Sequence, residues 1–162
     1  MSKNSLTKGF LKKIIVLDFM YGIGFIIYGI YEFLLTIYNL NLYLNKAEYI
    51  SLISLIVFFA TSILFITAGF IEILSGLLLR KWDYLGIKIT KIGLTIISTS
   101  VFTAILYRIL YIVISHGFSG LAIYGLILIV FVWILILGVI FPILIIFKIQ
   151  KKKEALMEFC RL

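Results

Sequence analysis

Apolar residues dominate this chain in four long runs, and the polar positions inside each run recur at helical spacing. The runs cover about Ile14–Tyr38, Ile50–Leu79, Ile87–Ser115 and Leu121–Phe147. Each exceeds the roughly 20 residues that carry a helix across about 30 Å of hydrocarbon. The pattern therefore predicts an all-α integral membrane protein, a bundle of four transmembrane helices in one domain over residues 1–162. Alternating steps of three and four select one stripe per helix. The first stripe is Asp18, Gly22, Phe25, Gly29, Glu32 and Thr36; the second is Ser54, Phe58, Thr61, Phe65, Ala68, Glu72 and Ser75; the third is Gly93, Ile97, Ser100, Ala104, Arg108, Tyr111 and Ser115. Small and hydroxylated residues let membrane helices approach and bond to one another, so these stripes are expected to face inward. The fourth run has no polar stripe. It is expected to present a broad apolar face, with a kink near Pro142, which lacks a backbone donor.

Composition agrees with a membrane chain. Hydrophobic residues make up 64% of the sequence, more than a soluble surface tolerates. The first run carries Asp18 and Glu32 and is too long for a cleaved signal peptide. A single cysteine, Cys160, excludes an internal disulfide, and no spacing of His, Cys and carboxylates suggests a metal centre. His116 stands alone in a Gly-flanked segment, 116–120, that reads as an outer turn. Neither a catalytic triad nor a bis-histidine haem can be assembled around it. No cofactor, metal or enzymatic activity is expected.

The net charge of +8 changes the topology more than the partner class. Lys12 and Lys13 precede the first run. Arg80 and Lys81, then Lys88 and Lys91, surround the second connection, and Lys151, Lys152 and Lys153 follow the fourth run. The first connection offers Lys46 against Glu48, and the third has no formal charge. That alternation predicts a multi-pass protein of the cell membrane with both termini cytoplasmic. The flanking Lys12, Lys13, Arg80, Lys81 and Lys151–Lys153 are expected to meet anionic inner-leaflet headgroups, with no nucleic-acid partner. The tail after Lys148 is expected to continue the fourth helix or to lie on the inner leaflet as an amphipathic helix.

Four charges inside the runs carry the candidate chemistry, because a charge at mid-membrane costs about 2.5–3.5 kcal/mol on insertion scales. Glu32 is six residues from the outer end of its run and Arg108 seven from its own. At 1.5 Å per residue both lie about 10 Å deep, so they are expected to pair as an outer charge layer. Asp18 and Glu72 lie toward the inner side, where Lys88 and Lys91 are the expected partners in an inner layer. Two further groups have weaker claims. Thr95, Ser98, Thr99, Ser100 and Thr103 could line a hydrated path, and Tyr21, Phe25, Tyr28 and Tyr31 form an aromatic patch.

The functional expectation is a non-catalytic accessory subunit of a larger membrane complex, such as an energy-transducing one of respiratory type. Docking to the other membrane subunits would use the fourth helix. One alternative is a small oligomeric proton or ion transporter or channel using Glu72. Another is a small membrane immunity or stress protein. The Ile-rich, Tyr-rich composition suggests a prokaryotic source.

Overall fold

The computed structural model describes residues 3–45, 52–123 and 132–160. Lys46, Glu48, Tyr49 and Arg161 lie outside the described residues. Among those described, every regular element is helical. We number them α1 (Lys3–Leu44), α2 (Leu52–Arg80), α3 (Tyr84–Ile123), α4 (Val132–Lys151) and α5 (Lys153–Cys160). The first four include segments long and apolar enough to cross a membrane: Thr7–Leu44, Leu52–Arg80, Tyr84–Leu110 and Val132–Lys151. The chain is thus a multi-pass membrane protein.

The predicted stripes form the buried faces. Asp18, Gly22, Gly29, Glu32 and Thr36 are buried on α1, as are Ser54, Thr61, Phe65, Ala68, Glu72 and Ser75 on α2 and Gly93, Ile97 and Ser100 on α3. Phe25, Phe58, Ala104 and Arg108 are half-buried. The side chains of Tyr111, Ser115 and His116 lie outside the described ones. Glycine brings α1 and α2 together. A Cβ on Gly69 would lie 2.6 Å from the Gly22 carbonyl oxygen, and one on Gly29 would lie 2.9 Å from the Ser62 carbonyl oxygen. Side chains could not occupy either space.

The turn from α2 to α3 is tight. Asp83 N–H donates to the Leu78 carbonyl at 3.2 Å and Trp82 N–H to that of Leu79 at 2.9 Å, which closes the last turn of α2. Trp82 occupies the left-handed region there, with φ 60°. A residue with a Cβ pays for that conformation in strain, and packing offsets it. The Trp82 ring meets Phe159 edge-on at 5.3 Å, and Lys8 Nζ stands 6.0 Å above it. Asp83 then caps α3 through Oδ1, which accepts from Leu85 N–H at 2.8 Å.

Three elements differ from expectation. The segment 116–120 is no turn, because α3 continues helically to Ile123. The fourth helix contains a π-turn at Ile136–Ile140, in which Phe141 N–H donates to the Ile136 carbonyl. That shift leaves the Leu137 carbonyl without its usual donor, and Pro142 has none to offer. The Tyr21 hydroxyl fills the vacancy at 2.7 Å, tying α4 to α1. Finally, the helix breaks at Lys152, and α5 folds against the protein instead of continuing α4. Leu156 is fully buried with Leu11, Ile14, Leu79, Ile87 and Ile149, and Lys152 Nζ stands 4.5 Å above the Phe10 ring. Burial and the nearby Asp83 carboxylate hold the Cys160 thiol above its ordinary value, so it carries little reactive thiolate near neutral pH.

Candidate functional site

Two polar centres lie between the helices. The outer one joins α1 and α3. Arg108 Nη2 donates to Glu32 Oε1 as an ion pair, and the Tyr28 hydroxyl donates to the same oxygen at 2.7 Å. The Phe58 ring lies 5.9 Å from the guanidinium. Glu32 is 4% exposed, whereas the Arg108 side chain keeps 29%. This cluster separates two cavities, each of about 300 Å³. One is mixed in character, bounded by Glu32, Thr36, Asn39 and Arg108 together with Tyr31, Leu35 and Phe58; the other is apolar, walled by Tyr21, Phe25, Phe65, Val101 and Gly138. The aromatic patch thus lines a cavity in part. Tyr21 stacks on Phe25 at 5.9 Å and Phe25 on Phe65 at 5.5 Å, while Tyr31 stands outside this stack, exposed.

The inner centre joins α1, α2 and α3, and it differs from expectation. Asp18 is 1% exposed and Glu72 is 0% exposed. No hydrogen bond or ion pair links either carboxyl to Lys88 or Lys91. Lys88 is exposed, with Nζ 5.7 Å above the Tyr84 ring, and Lys91 is half-buried. Helix rotation explains the miss. At about 100° per residue, Lys88 falls 200° from Thr90 and Lys91 falls 100° from it. Thr90 itself lies on the inward face. The lysines match the carboxyls in depth but not in direction.

Hydroxyls and each other are what the carboxyls meet. Thr90 Oγ1 donates to Asp18 Oδ2 at 3.0 Å and lies 3.1 Å from the Gly86 carbonyl. Ser75 Oγ donates to that carbonyl at 2.8 Å and is 2.5 Å from Thr90 Oγ1. Asp18 is the ionisable neighbour of Glu72 among the described residues. Glu72 Oε1 and Oε2 are the buried side-chain oxygens that have no hydrogen-bond partner among the described residues. Gly93 makes room for this carboxyl, since a Cβ there would collide with Oε1 and lie 2.8 Å from Cδ.

Comparison with known proteins gives no match to a family model, to a curated protein or to a solved structure. The hydroxyl run contributes little to either centre. Thr95, Ser98 and Thr99 donate to the carbonyls of Lys91, Leu94 and Thr95 in their own helix, and Thr95 and Thr99 are exposed. Sequence reasoning overlooked Thr90. Extending the third stripe three residues toward the N-terminus from Gly93 finds it. Lys12, Lys13, Arg80, Lys81 and Lys151–Lys153 are exposed around the end of the molecule that also holds α5.

Proposed function

We propose that this chain is a small transporter or channel of the cell membrane, with both termini cytoplasmic, that exchanges protons or small cations at the Asp18–Glu72 pair. Its role is transport and not catalysis. One observation carries the reading: the Asp18 and Glu72 carboxyls are both buried within membrane-crossing helices, neither has a basic partner among the described residues, and neither Glu72 oxygen meets a side-chain hydroxyl or backbone donor there. Buried ions are paired when they serve structure, as Glu32 and Arg108 are. A carboxyl pair lacking a fixed counter-charge needs a mobile positive charge instead.

The topology follows from the basic residues. Those flanking α1, α2, α3 and α4 collect where α5 folds back, which supports a cytoplasmic location for that end, against anionic headgroups. Four helices are few for a complete pathway, so the transporting unit is an oligomer. The exposed apolar face of α4, with Val132, Trp133, Leu137, Leu144 and Phe147, needs no partner protein, because acyl chains cover such a face. The accessory-subunit reading rests on small size, short loops, the lack of a catalytic cluster and this apolar fourth helix, and the immunity reading on small size and basic charge.

Flux is the test. Purified protein in vesicles, with a pH-sensitive dye trapped inside, should dissipate an imposed proton or sodium gradient. Glu72→Gln should reduce that flux to the level of empty vesicles. Undiminished flux in the variant would remove the carboxyl pair from the mechanism.

A further inference from the structure

The inner centre has a cover on one side. Ile14 precedes Asp18 by four residues on α1, Leu79 follows Ser75 by four on α2, and Ile87 precedes Thr90 by three on α3. At 1.5 Å per residue these apolar side chains form a layer about 5–6 Å from the polar one, on the same helix faces. Direct packing joins the two layers: a Cβ on Gly86, whose carbonyl accepts from Ser75, would lie 2.8 Å from Leu79 Cγ. Glu72, packed on Gly93 three residues after Thr90, lies one turn further in. Leu156 of α5 completes the apolar layer together with Leu11. Leu11, Ile14, Leu79, Ile87 and Leu156 are each no more than 2% exposed, and Asp18, Glu72, Ser75 and Thr90 no more than 1%. Water does not reach the carboxyls from this end while α5 is in place.

The fastening of α5 is light. The helix has eight residues, too few to persist without packing, and Leu156 is its buried side chain. A break at Lys152, with φ −103° and ψ 10°, separates it from α4, and residues at element ends are where hinge rotations are absorbed. Near its far end Phe159 meets Trp82 edge-on, the residue held in the left-handed region. Strain of that kind persists only under packing, and releasing Phe159 removes part of it. We infer that α5 is a gate: Leu156 plugs the end that the transport reading assigns to the cytoplasm, the Trp82–Phe159 contact latches it, and rotation about Lys152 opens the way to Asp18 and Glu72. The gate rests on the transport reading and adds its control. Opening moves α5 alone and leaves the glycine contacts between α1 and α2 in place.

Cysteine accessibility tests the gate without relying on transport. Full-length protein carrying Cys160→Ser and Ser75→Cys, in open membrane sheets, is treated with a charged, membrane-impermeant methanethiosulfonate, and modification is followed by mass spectrometry. Ser75 is 0% exposed, so the reaction should be slow. Leu156→Ala in that background removes the plug and should speed it at least ~10-fold. Phe159→Ala releases the latch, leaves the plug, and should speed it ~3-fold or more. Ser62→Cys, equally buried toward the other end of α2, reports general loosening and should react at the same slow rate with or without Leu156→Ala. Unchanged labelling at Ser75→Cys in both variants, or an equal rise at Ser62→Cys, would overturn the gate. Where the original chain carries flux in vesicles, Leu156→Ala should raise it ~3-fold or more, and flux that stays the same would also overturn the gate. Faster labelling at Ser75→Cys with no flux in any variant would overturn the transport reading and leave α5 as a seal over the inner centre.

Discussion

Arg108→Gln is expected to destabilise the folded helices by about 3 kcal/mol, the lower end of the cost of breaking a buried ion pair. The substitution leaves Glu32 buried at 4% exposure with, among the described residues, the Tyr28 hydroxyl to support its charge. The lower end applies because the Arg108 side chain retains 29% exposure. Glu32→Gln should cost a similar amount, since it strands the guanidinium beside the Phe58 ring. The double variant Glu32→Gln/Arg108→Gln should cost less than the sum, because neither charge is then left alone. Reversible unfolding in mixed micelles measures all three. Losses that simply add would show that the two side chains do not depend on each other.

Gly69→Ala should be comparably damaging although it adds one methyl group. Its Cβ would lie 2.6 Å from the Gly22 carbonyl oxygen and 3.0 Å from the Ile26 nitrogen, and backbone cannot rotate aside as a side chain can. Overpacking costs about 1–3 kcal/mol, and α1 and α2 must separate to relieve this contact. Separation would also loosen the two polar centres, which both depend on α1. Gly24→Ala is the control, because its Cβ meets nothing within 4 Å. It should be neutral or slightly stabilising through helix propensity. Equal behaviour of the two variants would contradict the close approach of α1 and α2.

Much of this was readable from periodicity. Steps of three and four from Asp18, Ser54 and Gly93 select residues that are buried or half-buried wherever their side chains are described, because one helical face repeats at that spacing regardless of what it meets. Glu32 and Arg108 could be matched because depth and face both pointed the same way. Asp18 and Glu72 could not be assigned their neighbours from depth alone. Lys88 and Lys91 stand at the right level on the wrong sides of α3, and Thr90, a residue no charge count singles out, takes the place between them. The Tyr21–Leu137 bond was equally hidden. It depends on a π-turn that frees a carbonyl and on a tyrosine 116 positions earlier in the chain. The continuation of α3 beyond Ser115 ran against two glycines, Gly117 and Gly120, whose local preference favours a turn.

The central claim is that Glu72 faces Asp18 and not a lysine, and the sign of one stability change tests it. Glu72→Gln should be measured by reversible unfolding at neutral pH in sodium-free buffer. A carboxyl crowded by a second carboxyl gains nothing from its charge, so the account predicts that the variant is as stable as the original chain or more so. A Glu72–Lys91 or Glu72–Lys88 ion pair would instead make Glu72→Gln less stable, by about 3 kcal/mol for a buried pair, and a loss of that size would contradict the account.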